Sequence, residues 1–416
     1  MEKHPRVGII HYSAPPVVGG VEQVISAHVR LLVQSGYPTT VICGRGDQNA
    51  LPRGAELIKI PELDSQHPLI LEISSYLERG EVSGEFFNAL EDLREKLAPV
   101  LSDFDKLMVH NVFTKHFNLP LTAALVKLLE DKTARGIIAW CHDLTWTSPS
   151  SQSKVHPGYP WDLLRTYNPQ IQYVVVSKRR QSELAGLFGY PEDRFAVIYN
   201  GVNPAEVLGL SAENYELISR IGMLESDLNL LMPVRVTGAK NIEYALQVIA
   251  EIKQTGVAPK LVLTGPPDPH DSASIEYYKS LLELRRKLGV EHEMRFVFES
   301  GPDPDQGYFI SSRSVGDLLR VSDIMFMPSH REGFGMPVLE AGLAGIPVVS
   351  TGIPASVEIA ADQVVIFQKD QPAGQTAQQI INLVNSNPIS RFRRQVLRNH
   401  TWEAIFVRQI GPLLNR

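Results

Sequence analysis

The chain has 416 residues, of which 44% are apolar, 8% aromatic and 21% charged, so it is long enough for two globular domains. This composition excludes a disordered chain, a collagen-like fibre and a small disulfide-stapled protein. The chain has 40 Lys and Arg residues and 46 Asp and Glu residues, so its net charge is −6. It therefore lacks the basic excess of a nucleic-acid-binding protein. Cys43 and Cys141 adjoin apolar runs and are expected to be buried thiols in a reducing cytoplasm.

Short runs rich in Val and Ile alternate with amphipathic stretches along the whole chain. The predicted strands are 7–12, 39–43, 107–110, 136–140, 173–176 and 195–199, then 230–234, 260–264, 294–298, 324–327, 348–350 and 364–367. The predicted helices between them are 21–34, 86–97 and 119–129, then 242–252, 275–288, 315–321, 338–344 and 377–384. This alternation predicts two doubly wound α/β domains with parallel sheets, divided near 200–225, and a ligand site in the cleft between them. No run is long and apolar enough for a signal peptide or a membrane span.

The most informative segment follows the predicted strand 324–327 and reads Glu332-Gly-Phe-Gly-Met-Pro-Val-Leu-Glu340. Its glycines allow a tight turn, and Pro337 suits the first turn of a helix. The free N–H groups at the start of that helix form a site for an anion such as a diphosphate. Because Glu332 and Glu340 would repel phosphate, we expect them to accept hydrogen bonds from the vicinal diols of a ribose and a sugar. The segment therefore indicates a nucleotide sugar as ligand.

Two cations follow the predicted strand 230–234. Arg235 and Lys240 flank a loop that contains Gly238, so both side chains can converge on one anion. Neutralising a leaving diphosphate would stabilise the transition state of sugar transfer. Two solvated surface cations are the alternative interpretation of the same residues.

Two further candidates lie in the first half of the chain. His142 follows the predicted strand 136–140. Its side chain either contacts a ligand or forms an ordinary hydrogen bond at the strand end, and both interpretations stay open. Gly19 and Gly20 precede the predicted helix 21–34 and present its N–H groups to an anion or a sugar. The turn lacks G-x-G-x-x-G, and no acidic residue stands about 20 positions on to hold a dinucleotide ribose, so the turn argues against a dinucleotide enzyme.

Together these segments resemble the retaining GT-B glycosyltransferases of family 4, and the resemblance covers most of the chain. It is sharpest at the E-x7-E motif formed by Glu332 and Glu340. Two positions depart from the common pattern, since Val234 and Asn241 stand where many members have Gly. The resemblance implies the following roles: Glu332 and His142 beside the donor sugar, Phe334, Gly335 and Met336 as backbone contacts to sugar and phosphate, Glu340 at the ribose, Arg235 and Lys240 at the diphosphate, and Gly19 and Gly20 as a close turn near the phosphates.

The implied fold is GT-B, with two Rossmann-like domains facing across a cleft. We predict an acceptor domain over 1–210, a nucleotide-sugar donor domain over 211–400, and a last helix over 401–416 that packs back toward the first domain. The loop between residues 298 and 318 often shapes the base pocket in this family, so UDP, GDP and ADP donors all remain open.

The resemblance implies an enzyme that retains anomeric configuration. We expect it to be metal-independent and to move a hexose, glucose or mannose, from an NDP-sugar co-substrate without a bound cofactor. We expect it in the cytoplasm, with peripheral association at the inner membrane left open. The expected acceptor is a sugar, a sugar phosphate or a glycerate-type compound, with His110-Asn111 and Thr114-Lys115-His116 as candidate contacts. A lipid-directed transferase at the inner membrane face and a non-catalytic nucleotide-sugar-binding protein are the alternatives. The sequence leaves a homo-oligomer open.

Overall fold

The protein, described here from a computed structural model, is an α/β protein whose structure covers residues 4–268 and 270–415. Its strands are β1 Val7–Ser13, β2 Thr39–Arg45, β3 Ala55–Lys59, β4 Lys106–His110, β5 Ile137–Cys141, β6 Gln172–Val175, β7 Ala196–Val197, β8 Leu228–Met232, β9 Pro259–Leu263, β10 Met294–Phe296, β11 Ile324–Met327, β12 Val348–Thr351 and β13 Val365–Phe367. Its α-helices are α1 Gly20–Gln34, α2 Pro68–Leu77, α3 Gly84–Leu101, α4 Leu119–Glu130, α5 Lys178–Phe188, α6 Pro204–Leu208, α7 Ala212–Ile221, α8 Ile242–Gln254, α9 Ser272–Lys287, α10 Ser312–Val321, α11 Met336–Ala344, α12 Pro354–Ala360, α13 Ala373–Ser386, α14 Pro388–Asn399, α15 Trp402–Ile405 and α16 Gly411–Leu414.

The first compact unit comprises Met1–Gly201 together with Trp402–Arg416. Its seven-stranded parallel sheet has the order β3-β2-β1-β4-β5-β6-β7, so the chain winds outward in both directions from β1 and β4. Alternate residues of β1 enter two separate apolar clusters, Val7 and Ile9 in one and Ile10 and Tyr12 in the other. Both faces of the sheet are therefore covered, as the continuous apolar strands predict.

The second compact unit comprises Val202–Thr401. Its six-stranded parallel sheet has the order β10-β9-β8-β11-β12-β13, which repeats the double winding of the first sheet. Alternate residues of β11 again enter two apolar clusters, Ile324 and Phe326 on one face and Met325 and Met327 on the other. In such sheets ligands bind beyond the carboxyl ends of the strands, next to the point where the winding reverses. Here that point lies between β8 and β11.

Several element bounds differ from the sequence prediction for physical reasons. The edge strand β3 was not predicted, because its Ala-Glu-Leu-Ile-Lys sequence lacks a continuous apolar run and its residues are only partly buried. The predicted strand 230–234 instead ends at Met232, since Pro233 has no N–H for the ladder. The predicted boundary at residue 210 falls inside the second unit, between α6 and α7.

The C-terminal segment packs on the first unit, where Trp402, Ile405 and Phe406 join the apolar cluster that holds α1. Gly201 lies against it so closely that a Cβ there would sit 2.7 Å from Cδ2 of Trp402.

Candidate functional site

The donor-side cations lie in the loop between β8 and α8. Arg235 is exposed, and in the described part of the chain no carboxylate forms a salt bridge with it. Lys240 ends a short 3₁₀ turn, Gly238–Lys240, and Asn241 follows it with a φ of 51°. Asn is one of the few residues besides Gly that adopts this left-handed backbone. Asn241 therefore adopts a backbone conformation that is typical of Gly.

Lys240 and Glu332 are brought into direct contact. The Nζ of Lys240 donates to Oε2 of Glu332 at 2.6 Å, with side-chain exposures of 19% and 9%. The other carboxylate oxygen of Glu332 accepts from Oγ of Ser329 at 2.6 Å. The backbone N–H of His330 donates to the carbonyl of Ala239 at 2.9 Å. The loop after β11 is thus bound to the loop after β8, and the Glu332 carboxylate is held in one orientation.

The loop after β11 leads into α11 through Gly335. This residue has a φ of 83° and forms the N-cap of the helix, and Pro337 follows within the first turn. Phe334 and Met336 are exposed by 62% and 55%, so their side chains contribute little to the core. An exposed apolar pair beside the free N–H groups of a helix start can contact a ligand bound there. The roles predicted for Phe334, Gly335 and Met336 stay predictions.

Glu340 lies one turn into α11 and faces a cavity of about 700 Å³ within the second unit. Met336 and Pro337 line the same cavity, together with Pro233 after β8 and Thr264 after β9. The cavity therefore opens at the carboxyl ends of the strands, where the doubly wound fold predicts a ligand. The sequence prediction missed several of its walls, which come from β9 and α10: Thr264, Ser312, Val315, Gly316, Leu319 and Arg320.

The two glycines of the first unit have different surroundings. A Cβ on Gly19 would lie 2.1 Å from Oε2 of Glu22, so the space beside Gly19 is filled by a carboxylate of the same helix turn. That carboxylate accepts a hydrogen bond of 2.5 Å from Oγ of Ser13. Around Gly20 nothing lies within 4 Å of the equivalent position. The close approach of a ligand predicted for both glycines stays a prediction, with open space at the Cβ position of Gly20 and the Glu22 carboxylate at that of Gly19.

His142 directly follows β5 and is 8% exposed. Its Nε2 lies 3.0 Å from Nδ1 of His110, and its backbone N–H donates to Oδ1 of Asn111 at 2.9 Å. Burial lowers the pKa of His142 to about 3, and the nearby ring of His11 adds to this effect. The imidazole is therefore neutral near pH 7 and can form hydrogen bonds without carrying a charge.

The candidate acceptor contacts divide into two groups. His110 and Asn111 are 0% and 5% exposed and are bonded to His142, so they support that residue instead of facing an acceptor. Lys115 is 7% exposed, with its Nζ 4.7 Å from the ring centroid of Phe117. The backbone N–H of Thr145 donates to the carbonyl of Thr114 at 2.9 Å, which places the loop after β4 against the loop after β5.

Three further features concern metal, membrane and thiol chemistry. In residues 4–268 and 270–415 no group of three or more His, Cys, Asp or Glu side chains is arranged to hold a metal ion. No described helix combines the length and the apolar character needed to cross a bilayer. Cys43 and Cys141 are buried free thiols, and burial raises the pKa of Cys43 to about 11.

Two family models match the chain, one over each half. The model "Glycosyltransferase Family 4" matches residues 18–206, and "Glycosyl transferases group 1" matches residues 216–399. The second match contains Arg235, Lys240 and the segment from Glu332 to Glu340. The first contains Gly19, Gly20 and His142.

Two curated proteins and one solved structure are similar to this chain. An uncharacterised glycosyltransferase of Methanocaldococcus jannaschii is 33% identical over 48% of this chain, a match that spans about half of that relative (46%). The mannosylglucosylglycerate synthase of Petrotoga mobilis is 23% identical over 84% of this chain and 82% of its own length. A solved glycosyltransferase of Rickettsia africae aligns over 99% of this chain and 98% of its own, with 16% identity and a TM-score of 0.39.

Proposed function

This chain belongs to the GT-B glycosyltransferases of family 4, a family of transferase enzymes, and we propose that it moves a hexose, glucose or mannose, from an NDP-sugar to a hydroxyl of a small polar or glycan acceptor. We further propose that the anomeric configuration is retained and that no metal or bound cofactor takes part. The contact between Lys240 and Glu332, beside the start of α11, carries the proposal. It joins a cation suited to a diphosphate with a carboxylate suited to a sugar, at the strand ends next to the cavity.

On the donor side, the nucleotide is proposed to occupy the cavity of about 700 Å³, with the Glu340 carboxylate accepting from the ribose hydroxyls. The diphosphate would lie at the first turn of α11 and face Arg235 and Lys240. These two cations would stabilise the charge that develops on the leaving NDP, and Glu332 would hold the hexose hydroxyls. Orientation of the sugar and neutralisation of the leaving group are the main physical requirements of the reaction.

On the acceptor side, Lys115 supports an acceptor that carries a carboxylate or a phosphate. Burial lowers the pKa of Lys115, and the neighbouring cations Arg180 and Lys154 lower it further, against the opposing effect of Asp143. In the described residues no carboxylate lies within salt-bridge distance of its Nζ. An acceptor anion would therefore gain from this nearly buried charge. A relative whose name ends in glycerate synthase agrees with such an acceptor.

A turnover assay tests the donor proposal. Release of UDP, GDP or ADP from the matching glucose and mannose conjugates would be measured with and without acceptor, for the wild-type chain and for Lys240→Ala. We expect the variant to lose kcat by about a hundredfold, the scale of one lost charge contact in the transition state, with a smaller loss of donor affinity. Lys253→Ala is the matched control, because Lys253 lies in the last turn of α8 and pairs with Glu293 at 2.9 Å. Binding without any turnover would instead favour the non-catalytic alternative.

An acceptor screen tests the role of Lys115. With the donor that turns over, D-glycerate and glucose 6-phosphate would be compared with uncharged glucose and glycerol. We expect the anionic acceptors to be preferred and Lys115→Met to remove the preference while donor hydrolysis persists. Preference for uncharged sugars in the wild-type enzyme, or transfer only to lipid acceptors in vesicles, would contradict the proposal. We propose that this reaction takes place in the cytoplasm, with which the two free thiols agree.

A further inference from the structure

Four buried histidines gather around the end of β4 in the first unit. His11, His28, His110 and His142 are 4%, 0%, 0% and 8% exposed. The rings of His28 and His110 lie with centroids 5.4 Å apart, and those of His110 and His142 lie 5.3 Å apart. Burial lowers the pKa of each of the four, so all are neutral near pH 7. A neutral imidazole carries one proton, and its second nitrogen can only accept.

The contact between His110 and His142 restricts where these protons lie. Nδ1 of His110 and Nε2 of His142 are 3.0 Å apart, so one of the two nitrogens donates and the other accepts. If His142 donated, the proton of His110 would sit on Nε2, a buried atom without a hydrogen-bond partner in the described structure. A buried N–H without an acceptor is costly and rare. If His110 donates from Nδ1 instead, its Nε2 carries only a lone pair. The N–H of His110 then has Nε2 of His142 as its acceptor.

We propose that His110 is a positioning residue that donates from Nδ1 to Nε2 of His142 and thereby keeps the proton of His142 on Nδ1. Asn111 completes the arrangement, because its Oδ1 accepts from the backbone N–H groups of His142 and Asp143 at 2.9 and 3.2 Å. Backbone and ring of His142 are therefore both fixed by the two residues at the end of β4. A ring held in this way presents an N–H donor, and not a lone pair, to whatever binds beside it.

The consequence for the reaction rests on the proposed function. An N–H on Nδ1 of His142 can donate to an oxygen of a bound sugar substrate, whereas the other tautomer could only accept from a hydroxyl. His142 would then act as a neutral hydrogen-bond donor throughout the pH range in which its ring stays unprotonated. His110 would not touch the substrate, because it is fully buried.

Ring-¹⁵N NMR tests the tautomer without any ligand. The full chain would be labelled at histidine ring nitrogens, and the signals of His142 would be assigned by their loss in His142→Gln. We expect the Nδ1–H tautomer in the wild-type protein and in His110→Asn, whose amide nitrogen can donate from the position of Nδ1. We expect a shift to Nε2–H or to a mixture in His110→Phe. We expect no change in His28→Gln, which alters the same cluster but whose native ring nitrogens form no hydrogen bond in the described structure. An Nε2–H tautomer in the wild-type protein would overturn the proposal, whether or not the variants fold.

Steady-state kinetics distinguishes a positioning role of His110 from a general effect of its substitution on the stability of the protein. With the NDP-sugar that turns over, His110→Phe is expected to lose kcat by about tenfold with little change in KM, and His110→Asn to recover most of it. Equal kcat in His110→Phe and the wild type would overturn the role in the reaction. If no NDP-sugar turns over at all, the proposed function fails, while the NMR result still decides the tautomer.

Discussion

The buried histidines of the first unit make its stability depend on pH between 7 and 5.5. Burial lowers the folded-state pKa of His28 and of His142 to about 3, far below the unfolded value of about 6.5. As pH falls below 6.5 the unfolded chain binds protons that the folded chain excludes. The stability contributed by these neutral rings is therefore present above pH 6.5 and is lost progressively as pH falls toward 3.

The magnitude follows from the two pKa values. At pH 5.5 the rings in the folded chain are still neutral, whereas the same histidines in the unfolded chain are mostly protonated. Protonation of each histidine in the unfolded chain therefore lowers the free energy of unfolding by about 1.3 kcal/mol relative to pH 7. His28 and His142 together give a loss of about 2.5 kcal/mol, and His110 and His116, whose pKa values are also lowered by burial, add to it. With a urea dependence of about 2–3 kcal/mol per molar, the unfolding midpoint should fall by at least about 1 M.

Tryptophan fluorescence reports this unit selectively, because all four tryptophans lie within it: Trp140, Trp146, Trp161 and Trp402. Urea unfolding at pH 7.0 and pH 5.5 would be compared for the wild type, for His28→Gln and for the control His292→Gln, an exposed residue of the second unit. The loss on acidification should shrink by about 1.3 kcal/mol in His28→Gln and stay unchanged in the control. Equal midpoints at the two pH values would refute the account of the buried cluster.

Two further predictions concern the second unit. Glu340→Ala should weaken nucleotide binding by about 1–3 kcal/mol, the scale of a lost charged hydrogen bond, and unchanged affinity by calorimetry would remove Glu340 from the site. Gly335→Ala should lower the free energy of unfolding by about 1–2 kcal/mol, because its φ of 83° strains any residue with a Cβ. Gly333→Ala is the control, since nothing lies within 4 Å of its Cβ position, and equal thermal melts of the two variants would contradict the strain at Gly335.

The sequence predicts the architecture well because both sheets are built from continuous apolar strands. Twelve of the thirteen strands lie at or beside their predicted positions, and the exception, β3, is a partly buried edge strand. β8 ends at Met232 because Pro233 has no N–H to donate to the ladder. The apolar pattern of residues 230–234 does not show this end.

The candidate site is only partly readable from sequence. The loop that carries Glu332 and the helix that carries Glu340 are signalled by Gly, Pro and charge within a short segment. The contact of Lys240 with Glu332 joins loops that follow different strands, and spacing along the chain does not encode it. The same holds for His110, which looks like an acceptor contact at the end of a strand and is instead bonded to His142. Residues that act through a neighbour on another strand become visible only when the fold brings them together.

We propose that the loop after β11 and the start of α11 form the donor site of a nucleotide-sugar transferase. Thermal unfolding of the chain with UDP, GDP and ADP, each alone and as its glucose and mannose conjugate, tests this proposal. One nucleotide should stand out, adding about 2.7 kcal/mol to the free energy of unfolding at a hundred times its Kd. That gain should be lost in Glu340→Ala and kept in Lys253→Ala. No stabilisation by any of the nucleotides or sugar conjugates would contradict the proposal.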